Sequence, residues 1–425
     1  MSAMRLSTLE AWLEHLEQAH PVGIDLGLDR VAEVARRMGL LKVRLASRVI
    51  TVAGTNGKGS TVAMLEALAR AHGLSTATYT SPHLLRYNER VCLDGKAVAD
   101  DALISAFEEV EAARLAVEPI SLTYFEVGTL AALALFARHQ PELVVLEVGL
   151  GGRLDAVNVI DADVAVLTTI AHDHANYLGD DLTVIGREKA GIMRSGRPVV
   201  LGSRELPISV HQTALELGAV SVALGQAYHW QAQGTDSFCW SGTTDTGAVL
   251  RLDALPDPGL PLDNAATALQ ALLSAGIELN ETHSRRALRE VCVPGRMQWL
   301  GQWCLDVGHN PHAAAYVARR LTTQPCTGRT WVLLGMLEDK DAEGVIQAFA
   351  GVADAWVAVS LAGERGRSAA ELAECIEAQG GRVVHQSDSP EAGADWLSTR
   401  LAQDDRVLVC GSFFTVAAIL AWKQA

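Results

Sequence analysis

Short, continuously apolar runs alternate with stretches of helical spacing along most of the chain. Runs at 49–52, 76–79, 143–148 and 164–168 read as strands, and 61–72, 100–114, 125–139 and 183–193 as helices. Alternation of this kind predicts a mostly parallel sheet covered by helices. Between about 220 and 255 the texture changes to short segments such as Tyr228-His229-Trp230-Gln231 and Phe238-Cys239-Trp240, separated by Gly and Asp. These predict a small antiparallel excursion, followed by a helix over 263–275. After the breaker residues Val293-Pro294-Gly295-Arg296 a second βα alternation begins. Its strands are expected at 303–307, 331–334, 355–359, 383–384 and 407–410, with helices at 312–321, 341–351, 368–379 and 390–402. The domains are therefore expected to be 1–294 and 295–425. Ligands of open parallel sheets sit beyond the carboxyl ends of the strands, so the cleft between the domains is the expected site.

Composition narrows the class. With 425 residues the chain exceeds what one core normally supports, and 49% apolar residues with 37 glycines suit an α/β enzyme. A formal charge of −15 argues against nucleic-acid or anionic-membrane partners, though not against small anionic substrates. Seven scattered cysteines without a CxxC pair point to a reduced cytoplasmic protein lacking a disulfide framework or zinc site. Leu9, Trp12, Leu13 and Leu16 have helical spacing among glutamates, unlike a leader peptide, and no apolar run is long enough to span a bilayer.

The chemistry concentrates first at Ala53-Gly54-Thr55-Asn56-Gly57-Lys58-Gly59-Ser60-Thr61, between a strand and a helix. A glycine-rich turn there aims backbone N–H groups and a helix dipole at a phosphate, with Lys58 in reach of the terminal one. The string departs from a strict Walker A sequence: Gly59 separates the lysine from the hydroxyl residue, and Val52 stands where the first glycine would fall. Glu147 ends the apolar run 143–146, where a Mg²⁺-binding carboxylate belongs, or a turn-capping acid. Ala171-His172-Asp173-His174 follows another strand and reads as metal or phosphate contacts, or as a hydrogen-bonded turn. By residue type alone Lys189 is a solvated surface lysine and Ser81 either a turn residue or a hydroxyl facing the phosphate. Asp306-Val307-Gly308-His309-Asn310-Pro311 is a dense polar set at a strand–helix junction, and Arg296 is either structural or able to reach a phosphate.

Together these strings resemble the bacterial folylpolyglutamate synthase/dihydrofolate synthase family, within the Mur ligase superfamily. The resemblance rests on GTNGKGST at 54–61, SPHL at 81–84, SLTYFE at 121–126, EVGLGGRLDAVN at 147–158 and REKAGI at 187–192. It continues with DNAATAL at 263–269, PGR at 294–296 and DVGHNPHA at 306–313, and so covers nearly the whole chain. It implies an N-terminal P-loop ATPase domain and a C-terminal Rossmann-like domain. By the same resemblance Gly57, Lys58, Gly59 and Ser60 hold the ATP phosphates, and Asn264, Arg296 and Asp306 contact the nucleotide. Ser81, Glu147 and His174 look like Mg²⁺ ligands, and Lys189 like a lysine carbamylated by CO₂ that helps hold a second Mg²⁺. Lys58, His174 and Lys189 are the implied catalytic residues. The pterin is expected near Ile24, Asp25, Leu26, Gly27 and Leu28, near Thr123, Tyr124, Phe125 and Glu126, and near Leu154, Asp155 and Ala156. His309 and Ser412 are expected to help receive glutamate.

The implied reaction is ATP-dependent ligation of L-glutamate to 7,8-dihydropteroate and to the γ-carboxylate of reduced folates, by a monomer, through an acyl phosphate. Two other readings compete. A Mur-type ligase would add an amino acid to a UDP-linked cell-wall precursor with the same phosphate loop. A nucleotide-binding regulatory protein would have lost the ligase residues, and the intact Lys58, Glu147, His174 and Lys189 argue against it.

Overall fold

The computed structural model describes residues 6–173 and 179–424. These residues fall into two compact units, one made of 6–170 with 179–291, the other of 171–173 with 292–424.

In the first unit eight strands form one sheet: β1 (Arg48–Ala53), β2 (Thr76–Tyr79), β3 (Val91–Leu93), β4 (Lys96–Ala97), β5 (Leu143–Glu147), β6 (Val164–Leu167), β7 (Pro198–Leu201) and β8 (Val220–Ala223). Their order is β4-β3-β2-β5-β1-β6-β7-β8, parallel from β2 to β8 and antiparallel at the β3–β4 edge. The apolar runs are buried because helices cover both faces of the sheet; Ile50 and Val52 on β1 are fully enclosed. The helix Tyr124–His139 shows the same effect, being buried along most of its length. Register fixes the functional edge. Val52 pairs with Glu147 on one side and Val166 on the other, so β1, β5 and β6 release their loops at one level.

The expected antiparallel excursion is a three-stranded sheet of β9 (Tyr228–Gln233), β10 (Ser237–Thr243) and β11 (Val249–Pro256), with β10 in the middle. Residues 220–223 do not join it but extend the main sheet as its parallel edge. The excursion is bolted to the helix Leu262–Ser274. Trp240 Nε1 donates to Ala266 O at 3.2 Å, Gln270 Nε2 to Thr243 O at 3.0 Å, and Tyr228 Oη bonds Thr267 Oγ1 at 3.0 Å.

The second unit holds β12 (Gln298–Leu300), β13 (Trp303–Leu305), β14 (Thr330–Leu334), β15 (Ala355–Val359), β16 (Val383–Ser387) and β17 (Arg406–Cys410). Their order is β12-β13-β17-β14-β15-β16, parallel except for the β12–β13 hairpin. Helices Pro311–Thr323, Ala342–Phe349, Ala369–Ala378, Pro390–Ser398 and Phe413–Gln424 pack on it, giving a Rossmann-like α/β layer structure. Expected bounds shift where capping decides them. The helix expected from 61 begins three residues earlier, at Lys58, because Gly57 takes a left-handed conformation that closes the turn before it. The helix expected to reach 193 stops at Ala190, and the one expected to reach 402 stops at Ser398. Among the described residues no helix is long and apolar enough to cross a membrane.

Candidate active site

The phosphate loop leaves the carboxyl end of β1 and runs into the helix Lys58–Ala71. Gly57 is its N-cap at φ 86, and a side chain there would also collide with Asn264, whose amide nitrogen would lie 2.6 Å from the added Cβ. Asn264 Nδ2 donates to Ser60 Oγ at 2.9 Å, and Ser60 Oγ donates to Gly57 O at 3.0 Å. The loop is held from its other side by the end of β6. Thr168 Oγ1 donates to Asn56 O at 2.7 Å, and the Asn56 N–H donates to Thr169 Oγ1 at 3.1 Å. Lys58 Nζ folds back over the loop to Gly54 O at 3.0 Å and Thr55 O at 3.3 Å.

Two further groups converge on this loop. Glu147 is 4% exposed and accepts the Ser81 N–H at 3.2 Å, which brings two of the expected Mg²⁺ ligands together. A Cβ on Gly59 would sit 3.9 Å from both Glu147 carboxylate oxygens, so the residue interrupting the Walker pattern faces the expected metal acid. Lys189 departs from its surface-lysine reading. It lies in the last turn of the helix Leu182–Ala190, is 5% exposed, and donates from Nζ to Gly54 O at 3.2 Å. A cation buried against a phosphate loop is costly unless its surroundings use it. His174 lies outside the described residues; among those described, no three His, Cys, Asp or Glu side chains gather in a metal-holding group.

The residues expected to bind the pterin are connected within the first unit. Thr123 and Glu126 form a capping box at the start of the helix Tyr124–His139: Thr123 N donates to Glu126 Oε2 at 2.7 Å and Glu126 N to Thr123 Oγ1 at 3.2 Å. Asp25 reaches the same place through Arg30, which bonds Asp25 Oδ2 at 2.6 Å and Glu126 Oε1 at 3.1 Å. Phe125 lies against Gly149, where any side chain would meet its ring at 2.7 Å. Tyr124 stacks edge-on with Tyr87, and Arg90 lies over both rings. Asp155 is enclosed between Leu154 and Ala156, accepting the N–H groups of Leu150 at 2.9 Å and Val157 at 3.0 Å. Burial pushes its carboxyl up to about 6, against the pull of those N–H groups and of Lys58.

In the second unit Asp306 follows β13. Its carboxylate accepts the N–H groups of Met297 at 2.9 Å and Gly308 at 2.8 Å. Burial raises its pKa, with Arg296 opposing. The Arg296 guanidinium lies 5.4 Å from the Phe413 ring, and His309 packs on the other contact of that ring at 6.2 Å. Ser412 is buried beside them, its Oγ accepting the Phe414 N–H at 3.1 Å, and the Gly411 N–H donates to Gly308 O at 3.1 Å. Asp306, Arg296, His309 and Ser412 thus form one neighbourhood.

A cavity of about 460 Å³ lies elsewhere, at the amino ends of β1, β6 and β7, among Arg44, Arg48, Asp163 and Arg197. Its arginines serve the backbone or Asp163. Arg48 Nε caps Ala275 O at 2.6 Å, Arg44 Nη2 caps Ser47 O at 2.6 Å, and Arg197 pairs with Asp163 at 2.9 Å. Its position, opposite the phosphate loop, separates it from the chemistry.

Residues 52–201 match the Mur ligase middle domain, and residues 295–413 the Mur ligase glutamate ligase domain. Over 97% of its length the chain is 44% identical to the dihydrofolate synthase/folylpolyglutamate synthase of Escherichia coli K12, covering 95% of that protein. The Haemophilus influenzae protein of the same name is 39% identical, with 99% of each chain covered. The chain belongs to the dihydrofolate synthase/folylpolyglutamate synthase family. Solved structures agree in fold. E. coli FolC in complex with DHPP and ADP superposes with a TM-score of 0.92 at 43% identity, over 99% of this chain and 98% of that one. A bifunctional folylpolyglutamate synthase/dihydrofolate synthase with Mn, AMPPNP and L-glutamate bound gives 0.90 at 41% identity, over the full length of both.

For a dihydrofolate synthase/folylpolyglutamate synthase the sequence left two residues unmarked that the structure places among the candidates, Arg30 and Lys340. Lys340 Nζ lies 2.7 Å from Oδ1 of Asp173, within the polar string already singled out, and His309 Nε2 lies 3.3 Å from Asp173 Oδ2. A visible signal existed for Lys340, a charged run Glu338-Asp339-Lys340-Asp341 just beyond the buried strand β14. None existed for Arg30, one of several arginines on an amphipathic helix.

Proposed function

We propose that the protein joins the α-amine of L-glutamate to the carboxylate of 7,8-dihydropteroate, and to the γ-carboxylate of reduced folates, at the expense of ATP. The observation that carries this reading is the buried Lys189 ammonium beside the phosphate loop, with Glu147 and Ser81 at the same strand ends. A carboxylate is a poor electrophile. An oxygen of it attacks the γ-phosphorus of ATP, ADP leaves, and an acyl phosphate results. The neutral amine of glutamate then attacks the acyl carbon, phosphate departs, and the nitrogen sheds a proton to leave the amide. Lys58 and the N-terminal amides of its helix hold the phosphates and offset charge on the phosphoryl group in transfer. Gly57, Gly59 and Ser60 complete that cradle. Asn264, through Ser60, keeps it in shape and contacts the nucleotide with Arg296 and Asp306. The second unit, 295–425 in this reading, supplies His309 and Ser412 for glutamate.

The donors present fit Mg²⁺. Ser81 and Glu147 offer hard oxygens, and Gly59 puts no side chain between the loop and that carboxylate. Ser81, Glu147 and His174 would hold one ion, and Lys189, carbamylated by CO₂, would help hold a second. Mg²⁺ supplies charge neutralisation on the phosphates. The carbamate would turn the Lys189 side chain from a hydrogen-bond donor to Gly54 O into an anion with two oxygens, which only a bound cation beside it would balance. The pterin lies against 24–28, 123–126 and 154–156, and the enzyme acts as a monomer.

Release of ADP by the purified protein given ATP, glutamate and dihydropteroate, with dihydrofolate as product, tests the first activity. Substituting tetrahydrofolate tests the second. Absence of ADP release with both acceptors sinks the reading. Intact-mass spectra under CO₂ should show the mass of one CO₂ added at Lys189, and Lys189→Ala should lose about a hundredfold or more in kcat.

A further inference from the structure

Of the three segments proposed to lie against the pterin, 24–28 and the start of the helix Tyr124–His139 are far apart in the chain. One side chain joins them. Arg30, in the first turn of the helix Asp29–Arg37, sends Nη1 to Asp25 Oδ2 at 2.6 Å and Nη2 to Asp25 O at 2.8 Å. The same Nη2 reaches Glu126 Oε1 at 3.1 Å, across 96 positions of sequence.

This is not an ordinary surface pair, whose contribution would be small. The Glu126 side chain is 4% exposed, and its other oxygen already holds the Thr123 N–H in the capping box. Arg30 therefore grips a carboxylate that cannot swing away without uncapping the helix. Asp25 is gripped twice, by side chain and by backbone. The loop around it has no regular structure; His20 Nδ1 contacts Val22 at both O and N, and His20 Nε2 lies 3.7 Å from Asp25 Oδ2. Among the described residues the buried Arg30 Nε–H meets no acceptor, so the guanidinium's grip on the two segments runs through its Nη1 and Nη2 ends.

We infer that Arg30 is a positioning residue for the pterin: it sets the separation of loop 24–28 from Thr123–Glu126 without touching the reacting atoms. This rests on the pterin placement proposed above. Lysine keeps the charge but loses the fork that holds both carboxylates at once.

The test is steady-state kinetics on Arg30→Ala, Arg30→Lys and Asp25→Asn, alone and with Arg30→Ala and Asp25→Asn combined, alongside Tm. Arg30→Ala should raise KM for dihydropteroate about tenfold or more, with KM for ATP within about twofold. Arg30→Lys should recover part of the loss. In the Asp25→Asn background Arg30→Ala should add little, because both remove one linkage. A folded Arg30→Ala with wild-type KM for dihydropteroate overturns the inference, as does an equal rise in every KM with falling Tm. If the alanine variant does not fold, Arg30→Lys and Asp25→Asn decide, and wild-type KM in both overturns it. Wild-type protein inert toward dihydropteroate would instead remove the proposed function itself.

Discussion

Gly57 and Gly59 stand two positions apart in one loop and answer to different constraints. At Gly57 the backbone is left-handed, and an added Cβ would collide with the Asn264 amide. Gly57→Ala should therefore lower stability by about 1–3 kcal/mol, read as a lower Tm. At Gly59 the backbone is ordinary and the Glu147 oxygens lie at van der Waals distance from a Cβ. Gly59→Ala should leave Tm nearly unchanged while raising the Mg²⁺ and ATP requirement severalfold; equal losses of stability in both variants would contradict this. Asp155 supplies a pH signature. Its folded pKa of about 6 lies above the ordinary 3.8, so folding favours the protonated form. The benefit is full below pH 3.8 and gone above about 6. The Tm of the wild type relative to Asp155→Asn should accordingly rise on acidification from pH 7 to 5, by the equivalent of ~1–3 kcal/mol. A flat difference would place the carboxyl in water. The shape of the candidate site was legible where chemistry imposes local order, as in the strand–turn–helix around Lys58. It was illegible where partners are distant. Ser60 and Asn264 meet across 204 positions, and nothing in the spacing of charges announces that Lys189 is buried.

Elements were legible in proportion to burial. β1, β5, β14, β15 and β17 are enclosed on both faces, and their apolar runs announce them. Strands β3, of three residues, and β4, of two, are too short to stand out, and the helices Glu281–Glu290 and Asp29–Arg37 carry too much polarity, since one side faces water. Their ends follow caps rather than hydrophobicity. Ser368 and Glu371 form a reciprocal cap on the helix Ala369–Ala378, with Ser368 Oγ accepting the Glu371 N–H at 3.3 Å. Ser368→Ala should cost about 1 kcal/mol in chemical denaturation and leave ligase turnover unchanged. A loss of turnover would mean that this helix does more than pack.

Across the whole molecule the seven cysteines are all unpaired thiols. Reductant should leave the Tm unaltered. Timed alkylation followed by peptide mass spectrometry should label exposed Cys292 first and the buried Cys304 and Cys410 last, since burial raises both thiols. Early labelling of Cys410 would reveal opening of the second unit. At this scale the change of texture near 295 falls close to where the second unit begins, at Cys292. Nothing in the local pattern announces that 171–173 group with that unit, where Asp173 pairs with Lys340 at 2.7 Å.

The antiparallel excursion holds none of the residues assigned to a ligand, yet it backs the helix that carries Asn264. Through Trp240, Gln270 and Tyr228 it sets where that helix rests, and the helix sets how the Gly57–Ser60 turn is drawn. With the ATP phosphates seated in that turn as proposed, nucleotide grip would be a heritable trait of residues that never meet a nucleotide. Two relatives with identical pockets would then diverge in ATP affinity through drift at this remote buttress.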